Sequence, residues 1–109
     1  MVTAFQSKAY LALCEVPKGY VTTYGALAKR IKCRSAQAVG GALRNNPFAP
    51  EVPCHRVVAA DLTIGGFNGE TDGPEIDRKK ALLLAEGITF DALGRIKDTS
   101  LVWRFDKNK

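Results

Sequence analysis

Apolar residues recur at helical spacing through the first half of the chain. Phe5, Ala9, Ala12, Leu13 and Val16 fall at i, i+4, i+7, i+8 and i+11, which predicts a helix over about 5–16 that Pro17-Lys18-Gly19 ends. Val21-Thr22 reads as a short extended link. Thr23 can then cap a second helix of about two turns on the stripe Tyr24, Leu27, Ala28 and Ile31. Ser35 can cap a third, in which Ala36, Val39, Gly40 and Leu43 repeat before Asn45-Asn46-Pro47 stops it. Two short helices joined by the basic turn Lys32-Cys33-Arg34 make a helix-turn-helix candidate. The outer face of its second helix carries Gln37, Gly41 and Arg44, with Ala38 and Ala42 beside it. Gly40-Gly41 in mid-helix costs about 1 kcal/mol per glycine relative to alanine. Close packing on a neighbouring helix, or close approach to a nucleic-acid backbone, must offset that cost.

The second half is more broken. Pro47 and Pro50 keep the chain irregular until Val52-Pro53-Cys54-His55-Arg56-Val57-Val58, whose apolar end reads as a short buried strand. Ile64 to Gly69 is a glycine-rich turn, and Glu70 to Asp77 is an acidic loop leading into a helix with Pro74 in its first turn. Ile76, Leu83 and Leu84 give that helix an inner face as far as Glu86, and Gly87 ends it. Residues 88–90 and 95–97 flank a turn and predict a hairpin. Leu101, Trp103 and Phe105 alternate, so the tail is expected to dock that face on the core. The fold class expected is mainly α with small β elements.

The chain has 109 residues, enough for one core and too few for a second, so a single domain over 1–109 is expected. Cys14, Cys33 and Cys54 are odd in number and widely spaced, which suits a reducing compartment rather than a disulfide scaffold. No apolar run approaches the roughly 20 residues that span a bilayer, and the N-terminus lacks a signal-peptide layout. A soluble intracellular protein without a membrane partner is expected, nuclear in a eukaryote and cytoplasmic in a prokaryote. The net charge of +5 is unevenly placed: no acidic residue occurs between Glu15 and Glu51, a stretch carrying Lys18, Lys29, Arg30, Lys32, Arg34 and Arg44. Such a third of the chain is either a solvated basic face or a polyanion-binding surface.

Cys54 stands beside the single histidine, His55, with Arg56 next and Pro53 restricting the backbone before it. A nearby imidazole or cation favours the thiolate, which is the nucleophilic form. Side chains at i and i+1 diverge, so a proton would pass directly or through a water. The pair alone fits either an activated nucleophile or a structural thiol beside a surface histidine. Cys14, Cys33, Cys54 and His55 lack the paired spacing of a zinc site, so no metal and no cofactor are expected.

Pro53-Cys54-His55-Arg56-Val57-Val58 resembles the active-site signature of the O6-alkylguanine-DNA alkyltransferases, the methylated-DNA-protein-cysteine methyltransferase family. Val21-Thr22-Thr23-Tyr24 with Leu27-Ala28, Ala38 to Arg44 with Asn46-Pro47, and Lys79 to Gly87 resemble other family segments in the same order. The resemblance implies a winged helix-turn-helix-like alkyltransferase C-terminal domain acting on double-stranded DNA that contains O6-alkylguanine. The base would be flipped out, since its O6 is hidden in the duplex. Cys54 would take the alkyl group irreversibly, His55 its proton through a water, and Glu86 would orient the imidazole. Tyr24 would donate to the guanine ring nitrogen and Asn46 would brace the hinge after the recognition helix. Pro53, Val57, Gly65, Phe67 and Asn68 would line the base pocket. Thr23, Arg34, Gln37, Ala38, Gly41, Ala42 and Arg44 would face DNA in the minor groove. The protein would act once, as a monomer, with other repair proteins as further candidate partners.

The chain departs from the family in three places. Gln37 stands where family members carry an arginine that fills the gap left by the flipped nucleotide, and glutamine lacks its charge and planar cation. Phe67 replaces a common tyrosine, and Glu70 to Asp77 looks like a small insertion. The family's N-terminal domain is not expected here. Two rivals compete. Alkyltransferase-like proteins bind alkylated DNA and recruit nucleotide excision repair without transfer, but they replace the nucleophile that this chain has. A winged helix-turn-helix regulator would leave Cys54, Tyr24 and Glu86 unexplained together.

Overall fold

The computed structural model describes residues 3–44, 47–48, 51–66 and 73–105. Helix α1 spans Ala4–Leu13 and opens with a capping box, in which the Thr3 hydroxyl accepts from Gln6 N while the Gln6 side chain accepts from Thr3 N. It stops earlier than its apolar stripe. Glu15 and Val16 bond three residues back, to Ala12 and Leu13, because the residue before Pro17 is held out of the α region. Val16 still reaches the core at 1% exposure.

Strand β1, Thr22–Thr23, leads directly into α2, Tyr24–Arg30, where the Thr23 hydroxyl caps Ala26 N at 3.0 Å. Lys32 in the left-handed region (φ 59°) turns the chain. Ser35 Oγ then accepts from Ala38 N at 3.0 Å to cap α3, Ala36–Arg44. Both predicted caps are present. The three helices pack on one another around Ala9, Leu13, Leu27, Val39 and Leu43. One expectation fails here: Ala42 does not border an outer face but is 4% exposed in this core. Val39, Ala42 and Leu43 form the i, i+3, i+4 triplet turned inward, and the Tyr10 hydroxyl donates to the Ala42 carbonyl at 2.8 Å. Ala36 is exposed rather than part of the stripe.

A 3₁₀ turn at Cys54–Arg56 runs into strand β2, Val57–Val58, which pairs in parallel with β1 in the register Thr22 with Val57 and Thr23 with Val58. This ladder ties the turn bearing Cys54 to the entry of the helix-turn-helix. Helix α4, Pro74–Ala85, starts at a proline and closes on Gly87 (φ 87°), with Ile88 N bonded to the Leu83 carbonyl. Its buried positions are Ile76, Lys79 and Leu83, whereas Leu84, predicted inward, is 63% exposed. A stripe read from apolar residues could not find its own middle member, because that member is a lysine.

A second cluster of Val21, Val58, Leu83, Ile88, Ile96 and Val102 closes the other side of the ladder. The predicted hairpin pairs Phe90 with Ile96, and the Asp91 carboxylate accepts from Leu93 N and Arg95 N across its turn. The tail packs Leu101, Trp103 and Phe105 against the core clusters, as the alternation predicts, but does not bury them most deeply. A 3₁₀ turn at Thr99–Leu101 shifts the register, so that Val102 is the deeply buried residue and bridges Val21, while Leu101, Trp103 and Phe105 are only half-buried. Among the described residues no helix is long and apolar enough to cross a membrane.

Candidate active site

Cys54 is 6% exposed and opens the 3₁₀ turn, its N–H bonded to the Val52 carbonyl at 2.8 Å. With about three residues per turn, successive side chains point in different directions. His55 and Arg56 reach the same partner, Glu86. His55 Nε2 lies 3.0 Å from Glu86 Oε2 in a site where the ring is 4% exposed. Arg56 grips the carboxylate with two parallel bonds, Nε to Oε1 at 2.9 Å and Nη2 to Oε2 at 2.8 Å, and its Nη1 donates to the Val16 carbonyl at 2.9 Å. Burial opposes charge on Glu86. The hydrogen bonds from Arg56 and His55 outweigh it and hold the carboxyl below its ordinary range.

This arrangement fixes the chemistry available to the imidazole. A carboxylate accepts only, so Nε2 carries the proton toward Glu86 and leaves the Nδ1 lone pair as a base. Glu86 is the C-cap of α4, where the helix dipole disfavours an anion. The guanidinium of Arg56 compensates, a partner for Glu86 beyond the His55 imidazole that the resemblance implied. Arg56 was legible as a cation two positions from the cysteine; its carboxylate was not.

Tyr24, at the first turn of α2, is half-buried and its hydroxyl donates to the Gly66 carbonyl at 3.3 Å. Burial, then the negative charge of an ionised Cys54, raises its pKa, so the phenol stays protonated and able to donate. Gly65 (φ +70°) lies flat against this ring: a Cβ there would meet Tyr24 Cε2 at 3.4 Å and Ala59 N at 3.3 Å. Pro53 is buried beside Cys54. Val57, expected in the pocket wall, has its side chain wholly in the core, since it sits in the β1–β2 ladder, and its N–H is bonded to the Cys54 carbonyl. Asn46, Phe67 and Asn68 lie outside the described residues.

Lys79 opens a segment that resembles the family, but the sequence assigned it no role. Fully buried, it donates from Nζ to the carbonyls of Val57 (2.6 Å), Ile64 (2.5 Å) and Gly66 (2.9 Å). Burial pulls its pKa down to about 7, against the pull of the Cys54 charge.

On α3, Gln37, Ala38 and Arg44 are exposed, as is Arg34 before it, and Gly41 is half-buried with open space where a Cβ would stand. Thr23, expected to face DNA, is 6% exposed and commits its hydroxyl to capping α2. It borders a cleft of about 520 Å³ rimmed by Lys29, Arg30 and Arg104. Arg30 is tied to Glu15 at 2.7 Å, so it contributes less free charge than the acid-free sequence suggests.

The profile of the 6-O-methylguanine DNA methyltransferase, DNA binding domain, matches residues 4–88. The chain is 40% identical over 89 residues to a Haemophilus influenzae methylated-DNA-protein-cysteine methyltransferase, covering 81% of this chain and 47% of that protein. It therefore spans about half the length of that relative. An Escherichia coli protein named DNA base-flipping protein is 35% identical over 103 residues, covering 94% of this chain and 76% of its own length. The solved structure of S. pombe Atl1 in complex with damaged DNA containing O6-carboxymethylguanine superposes with a TM-score of 0.74 at 32% identity, covering 91% of this chain and 94% of that one. With a helix-turn-helix-like fold and a profile match across most of its length, this chain belongs to the 6-O-methylguanine DNA methyltransferase DNA-binding domain family.

Proposed function

We propose that this domain moves the alkyl group of O6-alkylguanine in duplex DNA onto Cys54. The observation that carries this reading is the buried Cys54–Arg56 turn, whose imidazole is held in its basic tautomer by a carboxylate that Arg56 locks in place. In the proposed step the Cys54 proton passes to His55 through a water, and the thiolate attacks the alkyl carbon. A carbon–sulfur bond forms as the carbon–oxygen bond to guanine breaks. The electron pair leaves with the base, and the Tyr24 phenol donates to the ring nitrogen to stabilise it. The thioether product is not readily hydrolysed, so each molecule acts once.

Delivery of the base rests on α3. Its exposed Gln37, Ala38 and Arg44, with Arg34, form the face offered to the minor groove. Gln37→Arg is expected to tighten duplex binding and to steepen the dependence of log affinity on log salt by up to about 0.9, the increment for one neutralised phosphate. Equal affinity and an equal slope in both proteins would remove Gln37 from the interface.

A second reading has support in structural likeness. Atl1, solved in complex with damaged DNA, superposes on this chain with a TM-score of 0.74 at 32% identity. In that reading it binds alkylated DNA, recruits excision repair and transfers nothing. Cys54 argues for transfer. Incubation with a duplex containing O6-methylguanine decides between them: one methyl mass gained by the protein supports transfer, and tight binding without a mass change supports lesion binding.

A further inference from the structure

A lysine with no exposed surface, three carbonyl partners and, among the described residues, no carboxylate paired with it calls for a role, because burying an ammonium is costly unless every N–H is satisfied. The match is complete for the charged form only. An ammonium has three donors for the three carbonyls, whereas a neutral amine has two and would leave one of them unpaired. The acceptors are not scattered. Val57 follows the Cys54–Arg56 turn in β2, and Ile64 and Gly66 belong to the segment packed against Tyr24. The Gly66 carbonyl accepts from both Lys79 and the Tyr24 hydroxyl.

We propose that Lys79 is a positioning residue for alkyl transfer, its ammonium pinning the 64–66 segment to β2 and thereby setting the Tyr24 hydroxyl against the Cys54 turn. This rests on the transfer reading above, and it gives the reaction a part that no residue of the signature segment supplies. Among the described residues, the titratable groups facing the clamp are Cys54, whose charge acts on Lys79, and Tyr24 across the shared carbonyl. The exposed charges of α4, among them Arg78 and Lys80, point away from it.

The test has one arm that needs no substrate. In the wild-type protein, NMR of the lysine side-chain nitrogens is expected to show one ammonium shielded from solvent exchange, absent in Lys79→Met, that titrates with a midpoint near pH 7. A Lys79 signal exchanging like those of surface lysines overturns the clamp, whatever the protein does to DNA. The second arm compares wild type, Lys79→Met, Tyr24→Phe and the double variant for affinity to an O6-methylguanine duplex and for single-turnover methyl transfer. Lys79→Met is expected to keep its duplex affinity within about threefold and to transfer about 10- to 100-fold more slowly, the size of a small misplacement of reacting groups. The Tyr24→Phe loss is expected to shrink in the Lys79→Met background, since both side chains act through one carbonyl. Multiplicative losses, or a fall in affinity that accounts for the rate, would overturn the proposal. A wild type that binds without transferring would sink the transfer reading and leave the NMR arm to decide the clamp. Should Lys79→Met not fold, that arm still decides it.

Discussion

Cys54→Ala protein is expected to leave O6-methylguanine intact in duplex DNA and to keep its own mass unchanged, while wild type gains one methyl group per molecule. The loss is total because the sulfur is the proposed acceptor of the group, and alanine has no nucleophile to replace it. Binding is expected to persist within a few fold, since the surface proposed to meet the phosphates is on α3 and Arg34, not on the Cys54 turn. The fold should tolerate the change as well. Truncating this small buried side chain removes contacts worth on the order of 1 kcal/mol. The sharp control lies in the other thiols, for Cys14 is exposed and Cys33 half-buried. Peptide mass mapping that places the methyl group on either of them would overturn the assignment of Cys54.

Glu86→Ala should produce the largest loss of stability. It leaves the Arg56 guanidinium and the His55 ring, with side chains 16% and 5% exposed, without their shared acceptor. Removing one partner of a buried ion pair typically costs about 3–5 kcal/mol, most of it the penalty of the stranded charge. Methyl transfer should slow by about 10²-fold or more, as the imidazole loses the bond that fixes its tautomer. Glu86→Gln separates charge from shape through pH. The folded carboxyl titrates below its unfolded value, so its stabilisation is complete above the unfolded pKa of roughly 4.3 and is lost as pH falls through the lower folded value. Wild type should therefore lose its stability advantage over Glu86→Gln progressively as pH falls below about 5 in urea unfolding. Asp61, Asp91 and Asp98 are also shifted downward, but they are common to both proteins and cancel in the difference. Urea midpoints that fall in parallel would show that Glu86 carries no such coupling.

Some of this architecture was decided within a few residues of each position. Thr23 and Ser35 cap their helices because each hydroxyl needs only an amide three positions on, a bond written into any local sequence. The stripe Leu27-Ala28 buries itself for the same kind of reason, helical periodicity. The Asp91 turn and its Phe90–Ile96 bridge are likewise local. Cys54, His55 and Glu86 were legible as chemistry through the resemblance, and the fold brings His55 and Glu86 to hydrogen-bond distance.

What the sequence left open involves partners far apart in the chain. Arg56 meets Glu86 across 30 positions, Lys79 meets Val57 across 22, and Tyr10 meets Ala42 across 32. None of these pairs leaves a periodic trace. A lysine in an apolar stripe reads as a surface residue until the carbonyls that satisfy it are in place, and an alanine beside a half-buried glycine reads as outer face until a tyrosine from another helix covers it. The sequence by itself determined the first helices and the caps at Thr23 and Ser35, because those depend on bonds closed within one turn, and it marked Cys54 as the candidate nucleophile only through the resemblance. Tertiary structure alone decided which charges are buried and what holds them there, because the free energy of a buried charge depends on acceptors that only the folded chain assembles.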